Sequence, residues 1–342
     1  MKIAMTSYYL PPQDRIGAGY MQHYLANAYV RAGHCVTMFS PVREKADDAL
    51  YELVSVPVGE RNRFFRFARN LRNQDLRAFN VLHTGSESFL LAGKRRPYHI
   101  CTYHGACLAE AIHAKTVKDR VRMLIFAVAE IAQCLVANRN VCVSRDTSRY
   151  IPLAREVIWN GVDRTQFRPG PAKSAAPSIL FVGELDSRKR GRELVEIFRT
   201  VVRPAAPDAQ LWIARDGTPV EVEGVHVFGR VSLEKLIELY QTAWVFCLPS
   251  SYEGFGVPYI EAMSSGTPVV ATPNAGAKEV LEEGKYGRIA ELPELGSTLV
   301  EVLKSAEERE RLTQLGLERA EDFDWQRIVE RYLSTVPSAR RS

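Results

Sequence analysis

The sequence predicts an α/β protein with two Rossmann-like domains whose parallel sheets face each other across a cleft. Its 342 residues, 46% of them apolar, exceed what one hydrophobic core usually holds, so two domains are expected. Short apolar runs alternate with helix-length segments along the whole chain, in two successive series. Strands that alternate with helices form parallel sheets covered on both faces.

The first series, residues 1–160, begins directly with a strand. MKIAMTSYYLPP has too short an apolar run for a signal peptide. Helices are expected at 19–32 and 116–137, and strands at KIAMTS, HCVTMFS, NVLHTG, HICTYHG and NVCVS. The run 123–137, MLIFAVAEIAQCLVA, contains Glu130 and Gln133 and is shorter than a membrane span, so we expect a buried helix.

The second series, residues 161–322, repeats the plan. The segment 160–178 is rich in Pro, Gly, Ala and Ser and is predicted to be the linker. Helices are expected near 190–202, 232–241, 258–265 and 293–321, and strands at SILFVGEL, AQLWIA, VHVFG, WVFCLPS, TPVVATP and YGRIAEL. Ligands of such sheets bind beyond the carboxyl ends of the strands.

The charge distribution and the cysteine pattern indicate what kind of partner and what kind of thiols to expect. Residues 1–160 carry 22 Lys and Arg against 13 Asp and Glu, whereas the rest carries 23 against 27, so the first half is expected to meet an anion or an anionic surface. The six cysteines form no CxxC pair, and Cys35, Cys142 and Cys247 lie in apolar runs. This favours buried, reduced thiols in a cytoplasmic protein over disulfides or zinc.

Residues 250–273, SSYEGFGVPYIEAMSSGTPVVATP, place two carboxylates around a glycine-rich bend. Glu253 follows the strand WVFCLPS, and Glu261 lies in a short helix that begins at Pro258. Gly254 and Gly256 let the backbone bend sharply and bring N–H groups close to a ligand, and the helix start favours an anion. Carboxylates beside a diphosphate suit sugar hydroxyls, so the pattern predicts a nucleotide sugar.

The same segment, with its Glu-x7-Glu spacing, resembles the signature of the retaining glycosyltransferases of family 4, which have the GT-B fold. The resemblance extends along the chain. GAGYMQHYLANAYVRAGHCVTMFS, TYHG, NGVD, FVGELDSRK and DFDWQRIVERYL follow in the family's order and at plausible spacing. It implies that the final segment, 323–342, is a helix crossing back to the first domain.

The resemblance also implies a role for each matching residue. Glu253 would contact the donor hexose, Glu261 the ribose hydroxyls, and Lys189 the diphosphate. His104 in TYHG would lie close to the transferred sugar, although a structural histidine at the strand end remains the alternative. With His104, Glu253 and Lys189 as the catalytic set, the donor-binding positions are Gly17, Arg188, Lys189, Arg215, Glu253, Gly254, Phe255, Gly256, Val257 and Glu261.

One position departs from the family. The family normally has Gly-Arg-Leu where this chain has Gly183-Glu184-Leu185, so the arginine that partners the lysine is missing. We expect Arg215 or Arg188 to supply the guanidinium, held by Glu184.

The implied reaction transfers a sugar with retention of anomeric configuration and without a metal or other cofactor. A UDP- or GDP-sugar is the expected donor, and the departing phosphate oxygen accepts the acceptor's proton. Asp324 in DFD directly precedes the last helix and is expected to cap it rather than bind a metal.

Other functions remain as alternatives or are not favoured. GAGYMQ lacks the third glycine of a dinucleotide fingerprint and has no acidic residue at the second strand end, which argues against a nicotinamide oxidoreductase. A nucleotide-sugar epimerase and a catalytically degenerate nucleotide-sugar-binding protein remain alternatives.

The acceptor side has two basic segments. Six arginines lie in 59–77, and GKRRP (93–97) adds three cations. Either they form the solvated face of an amphipathic helix, or they bind anionic lipid headgroups or a phosphate-bearing acceptor. The acceptor is expected to be a glycan, a lipid-linked sugar or a small molecule, with the protein cytoplasmic and peripheral at the inner membrane surface. Nucleic acid is not expected, because no binding module accompanies the charge.

Overall fold

The computed structural model describes residues 1–14, 16–93, 96–114, 116–214 and 217–338. Within them the chain divides into two compact units. One comprises Met1–Gly161 and the segment from Trp325 onward, and the other comprises Val162–Asp324. Each unit has its own all-parallel sheet, so the predicted α/β class with two Rossmann-like sheets is confirmed.

In the first unit, the described strands form a sheet of seven. They are β1 (Lys2–Thr6), β2 (Cys35–Ser40), β3 (Glu52–Ser55), β4 (Val81–Thr84), β5 (Tyr98–Tyr103), β6 (Arg139–Cys142) and β7 (Glu156–Val157). Their order is β3-β2-β1-β4-β5-β6-β7. The helices before the unit boundary are α1 (Gly17–Arg31), α2 (Arg63–Leu71), α3 (Cys107–His113), α4 (Val117–Val136) and α5 (Arg145–Tyr150), with a 3₁₀ turn at Ser86–Leu91.

In the second unit, the described strands form a sheet of six. They are β8 (Ser178–Val182), β9 (Gln210–Ala214), β10 (Val225–Gly229), β11 (Val245–Leu248), β12 (Val269–Ala271) and β13 (Arg288–Ile289). Their order is β10-β9-β8-β11-β12-β13. The helices are α6 (Gly191–Ile197), α7 (Arg203–Ala205), α8 (Leu233–Thr242), α9 (Val257–Ser264), α10 (Ala275–Val280), α11 (Leu295–Lys304) and α12 (Ala306–Ala320). A π-helical segment, Phe198–Val202, joins α6 to α7, and 3₁₀ turns lie at Glu282–Gly284, Leu292–Glu294 and Glu321–Phe323.

The last helix, α13 (Trp325–Ser334), packs on the first unit. Tyr332 accepts a hydrogen bond from Thr102 at 3.1 Å, and its ring lies 4.7 Å from that of His83. Position 161, which lies against the start of α13, has to be a glycine. A Cβ at Gly161 would overlap the ring of Trp325.

The segment predicted as a linker, 160–178, is instead anchored to the second unit from Val162 onward. Val162 pairs with Asp324 in a β-bridge, and the ring of Phe167 is buried 6.0 Å from that of Tyr240. The Nζ of Lys173 donates to the carbonyl of Gly266 at 2.8 Å.

Two expectations about burial are wrong. Helix α4 is not buried on all sides, because Leu124, Ile125, Val128, Ile131 and Leu135 are exposed. Cys35 is also exposed, although all six cysteines lie in the described part and are free thiols. None of the described helices combines the length and the hydropathy that a membrane span requires.

Candidate functional site

Glu253 lies in the loop between β11 and α9 and is 6% exposed. The hydroxyl of Ser250 donates to its Oε1 at 2.8 Å, and the Nη2 of Arg188 lies 3.5 Å from its Oε2. Because a buried carboxylate is costly without partners, these two groups hold Glu253 in place at the carboxyl end of β11.

Gly256 makes the bend possible. Its φ is +97°, and a Cβ there would overlap the ring of Tyr259, so only glycine fits. Gly254 does not meet the same need, because its φ is not positive and a Cβ would lie 3.7 Å from the Tyr252 hydroxyl. Helix α9 begins directly after Gly256, with Pro258 in its first turn.

Glu261 lies in the second turn of α9 and is 9% exposed. The hydroxyl of Tyr240, at the end of α8, donates to its Oε2 at 2.9 Å. Both motif glutamates are therefore buried and oriented by hydroxyl donors rather than directed into bulk solvent.

The start of α10 supports the loop, a contact that was not predicted from the sequence. The Nδ2 of Asn274 donates to the carbonyl of Ser250 and to the Tyr259 hydroxyl, both at 3.2 Å. The N–H of Gly276 donates to the carbonyl of Glu253 at 3.0 Å, and a Cβ at Gly276 would lie 2.5 Å from the carbonyl oxygen of Phe255. The signal in the sequence is N-A-G directly after a strand, which is typical of a capped helix start.

The loop after β8 carries the predicted cations. Lys189 donates from its Nζ to the carbonyl of Val182 at 2.9 Å, at the carboxyl end of β8. Arg188 donates from its Nε to the carbonyl of Tyr252 at 3.0 Å, so its guanidinium lies at the Glu253 loop. Glu184 is exposed and is not the residue that pairs with Arg188. The expectation that Glu184 holds Arg188 is therefore wrong. Arg215 lies outside the described residues.

His104 follows β5 in the first unit and is half-buried. The Nε2 of Gln22 lies 3.1 Å from the Nε2 of His104. Burial lowers the pKa of His104 to about 4, and the side chain of Asn160 partly opposes the shift, so the imidazole is neutral at pH 7. Among the described residues, the Nδ1 of His104 and the Oε1 of Gln22 have no hydrogen-bond partner. Gln22 was missed in the sequence because only the fold brings it to His104.

Gly17 is the first residue of α1, and a Cβ there would meet no atom within 4 Å. The close approach instead occurs at Gly19, where a Cβ would lie 2.6 Å from the carbonyl oxygen of Tyr9. The residue before α1, Ile16, provides no side-chain cap to the helix. The start of α1 therefore leaves space in front of Gly17.

Glu130, on α4, is a buried acid. Its Oε2 accepts a hydrogen bond from the backbone N–H of Cys107, the first residue of α3, at 2.9 Å. Burial raises the pKa of Glu130 to about 7, and the hydrogen bond from Cys107 opposes the shift. Within the described residues, no group of three His, Cys, Asp or Glu side chains is arranged to hold a metal ion.

Two family models match the chain. The one described as Glycosyltransferase Family 4 matches residues 16–166, and the one described as Glycosyl transferases group 1 matches residues 176–305. A phosphatidyl-myo-inositol mannosyltransferase of Mycobacterium leprae is 27% identical over 201 residues, which is 54% of this chain and 54% of that protein. The chain spans about half or less of the length of the curated relatives it matches.

Solved structures share the fold. A sucrose-phosphate synthase from Thermosynechococcus elongatus has a TM-score of 0.79 at 20% identity, covering 98% of each chain. The Anabaena protein HepE in complex with UDP-glucose has a TM-score of 0.76 at 16% identity, covering 98% of this chain and 99% of its own.

Proposed function

Because the chain belongs to glycosyltransferase family 4 and has its GT-B fold, we propose that it transfers a hexosyl group from a nucleotide-diphosphate sugar to an acceptor hydroxyl with retention of configuration. The observation that carries this proposal is the burial of Glu253 and Glu261 around the bend at Gly256. Buried carboxylates at the carboxyl end of a parallel strand are suited to accept hydrogen bonds from sugar hydroxyls.

The donor's two sugars divide between the two glutamates. Glu261, oriented by Tyr240, accepts from the ribose hydroxyls, and Glu253 accepts from the hexose. The backbone N–H groups of Phe255, Gly256 and Val257 donate to sugar and phosphate oxygens at the start of α9.

The diphosphate is neutralised by side-chain cations, so no metal is required. Lys189 provides one charge. Arg188 provides a second positive charge. It leaves Glu253 when hydroxyl groups of the hexose donate hydrogen bonds to that carboxylate in its place. Arg215 remains a candidate for the same role. Charge that develops on the leaving nucleotide is stabilised by these cations in the transition state.

The acceptor attacks the anomeric carbon on the face from which the diphosphate departs, which gives retention. The departing phosphate oxygen takes the acceptor's proton, and no side chain acts as a nucleophile. His104 contacts hydroxyl groups of the reacting sugars as a neutral imidazole, since its pKa of about 4 keeps it uncharged at pH 7.

UDP- and GDP-sugars are the proposed donors, and a glycan, a lipid-linked sugar or a small molecule is the proposed acceptor. The UDP-glucose complex of HepE supports a nucleotide-sugar donor, and the phosphatidyl-myo-inositol mannosyltransferase among the relatives supports transfer of a hexose. We place the protein in the cytoplasm, with the arginines of 59–77 and the basic residues of 93–97 directed at an anionic membrane surface. Lys94 and Arg95 lie outside the described residues.

A donor screen followed by a turnover assay tests the proposal. Thermal-shift measurements with UDP-, GDP-, ADP- and dTDP-sugars should select one nucleotide, and incubation with acceptors should release the nucleoside diphosphate at a rate that a chelator leaves unchanged. NMR of the product should show the donor's anomeric configuration. Binding without turnover in any acceptor panel would indicate the degenerate protein, and an epimerised donor without acceptor would indicate the epimerase.

A further inference from the structure

The outward face of α4 is apolar along its length. Beyond Arg122, every exposed side chain of this fully described helix is a Leu, Ile or Val, reaching 67% exposure at Val128 and 75% at Leu135. Val117 and Val121 extend the stripe to the start of the helix. At 100° per residue these positions cover an arc of about 120°. An exposed soluble helix would carry polar residues on this arc.

The opposite face of α4 attaches the helix to the first unit. Ala127, Glu130, Gln133 and Cys134 are buried, and Glu130 bonds to the first N–H of α3. Neighbouring α3 adds two more exposed apolar side chains, Leu108 and Ile112. We define the α3–α4 apolar surface as the exposed residues Leu108, Ile112, Val117, Val121, Leu124, Ile125, Val128, Ile131 and Leu135.

Cations flank the α3–α4 apolar surface on both sides. By helical position, Lys118 and Arg122 lie on one border of the arc and Arg120 lies on the other, and all three are exposed. Asp119 is the only acid among the first residues of α4, and it pairs with Arg122 at 3.0 Å. Long basic side chains at the border of an apolar arc can extend to phosphate groups while their stems remain in an apolar layer.

Helix α2 contacts α4 on the side away from the apolar arc, because Phe126 lies about 160° around the helix from the centre of that arc. The ring of Phe126 on α4 lies 5.2 Å from that of Phe64 and 5.9 Å from that of Phe65 on α2. Phe65 is exposed, and so are the arginines of α2 at positions 63, 66 and 69. The aromatic cluster therefore joins α2 to the inner side of α4 and is not part of the α3–α4 apolar surface.

We propose that the α3–α4 apolar surface inserts into the boundary between headgroups and acyl chains of an anionic bilayer, with α4 lying in the membrane plane. The apolar arc supplies the buried area, and the cations of α4 meet the lipid phosphates. The membrane contact predicted from the sequence involved basic segments alone, and the α3–α4 apolar surface is a separate feature of the structure.

Charge favours a bilayer over a second copy of the chain. Two α4 helices paired in parallel would bring their cations together, and an antiparallel pair would place those cations beside the uncharged stretch 131–136. Neither arrangement offers the opposite charges that flank a paired-helix seam. An anionic headgroup layer complements the cations on both borders.

The surface adjoins the end of the first sheet that carries His104. Helix α3, which carries Leu108 and Ile112, begins three residues after His104. If the proposed function holds, this location brings an acceptor embedded in the bilayer to the acceptor side of the enzyme. The membrane contact itself does not depend on the activity.

Vesicle flotation of the purified full-length chain tests the inference. The parent should float with vesicles containing phosphatidylglycerol and less with pure phosphatidylcholine vesicles. The variant Val128→Ser/Ile131→Ser/Leu135→Ser should partition at least tenfold more weakly, because these side chains provide the inserted area. The control Leu50→Ser/Leu153→Ser replaces side chains that are also about half exposed in the first unit and should float like the parent. All variants must keep the parent's melting temperature, which exposed positions permit.

Two further experiments separate the contribution of the cations from that of the inserted apolar side chains. Lys118→Gln/Arg120→Gln/Arg122→Gln should reduce the preference for anionic vesicles by roughly fivefold per cation. Tryptophan introduced as Val128→Trp should be quenched by lipids brominated on the acyl chain, and Leu153→Trp should not. The proposal is overturned if the parent does not float, or if the serine variant floats like the parent. A parent that sediments as a dimer and a serine variant that sediments as a monomer, with neither bound to vesicles, would assign the surface to a second copy.

Discussion

The guanidinium of Arg188 lies 3.5 Å from the carboxylate of Glu253 and also donates to the carbonyl of Tyr252. The β8–α6 loop thus places a cation at the β11–α9 loop. Arg188→Ala should weaken binding of the nucleoside diphosphate by about tenfold to a hundredfold, the range for a charge-assisted hydrogen bond. Isothermal titration calorimetry of the parent and the variant with the nucleoside diphosphate measures this change in affinity.

The matched control is Arg192→Ala. Arg192 lies on the same stretch of chain but pairs with Asp186 at the surface, with 2.6 Å between Nη2 and Oδ2. Equal affinities of the two variants and the parent would show that Arg188 does not contact the diphosphate.

Gly256→Ala should destabilise the second unit by about 2 to 4 kcal/mol, because the Cβ meets a positive φ and the buried ring of Tyr259. Gly254→Ala, two residues earlier, should change the free energy of unfolding by no more than about 0.5 kcal/mol, since its Cβ would have ordinary contacts. Urea denaturation followed by circular dichroism compares the two. Equal midpoints would contradict the assignment of the bend to Gly256.

His104 should remain neutral throughout the working pH range. Its pKa of about 4 lies below the ordinary value because burial disfavours the charged ring. Its NMR resonances should therefore not titrate between pH 5.5 and 8. His104→Ala should lower kcat at least tenfold if the ring contacts the reacting sugars, whereas the exposed His226→Ala should not. A pH-rate profile with a limb near 6.5 that disappears in His104→Ala would contradict a neutral role.

Glu130 should make the first unit less stable as pH rises from about 4.5 to 7. In this window the unfolded chain has lost the proton that the folded chain keeps, because burial raises the pKa of Glu130 to about 7. Glu130→Gln should remove roughly 2 kcal/mol of this decline in the free energy of unfolding. The amide oxygen of the variant can still accept the hydrogen bond from the N–H of Cys107. Denaturation at pH 5 and pH 7.5 measures the difference. An identical pH dependence in parent and variant would show that Glu130 is already ionised.

The sequence predicted the two parallel sheets because their inner strands are buried, strongly apolar runs. It missed β3 and β7, which have four and two residues and lie at sheet edges, where the apolar pattern is weak. The predicted helix 293–321 is two helices, because Ser305 caps the second one by accepting from the N–H of Glu308. The apolar run of α4 was interpreted as burial, since composition alone does not show on which side an apolar helix has neighbours.

The glutamate pair could be identified from its motif, but its partners could not. Tyr240 orients Glu261 from 21 residues away, and Gln22 contacts His104 from 82 residues away. Such pairs are created by strand order, and no local pattern in the chain marks them.

The most direct test is the affinity of the parent and of Glu261→Gln for the selected ribonucleoside diphosphate and for its 2′-deoxy analogue. The parent should bind the ribose form at least tenfold more tightly, because Glu261 accepts from the ribose hydroxyls. Glu261→Gln should lose most of that difference, and Glu234→Gln, which alters an exposed acid of the same unit, should keep it. A parent that binds both forms equally, or binds no nucleotide, would contradict the assignment of this site to a nucleotide sugar.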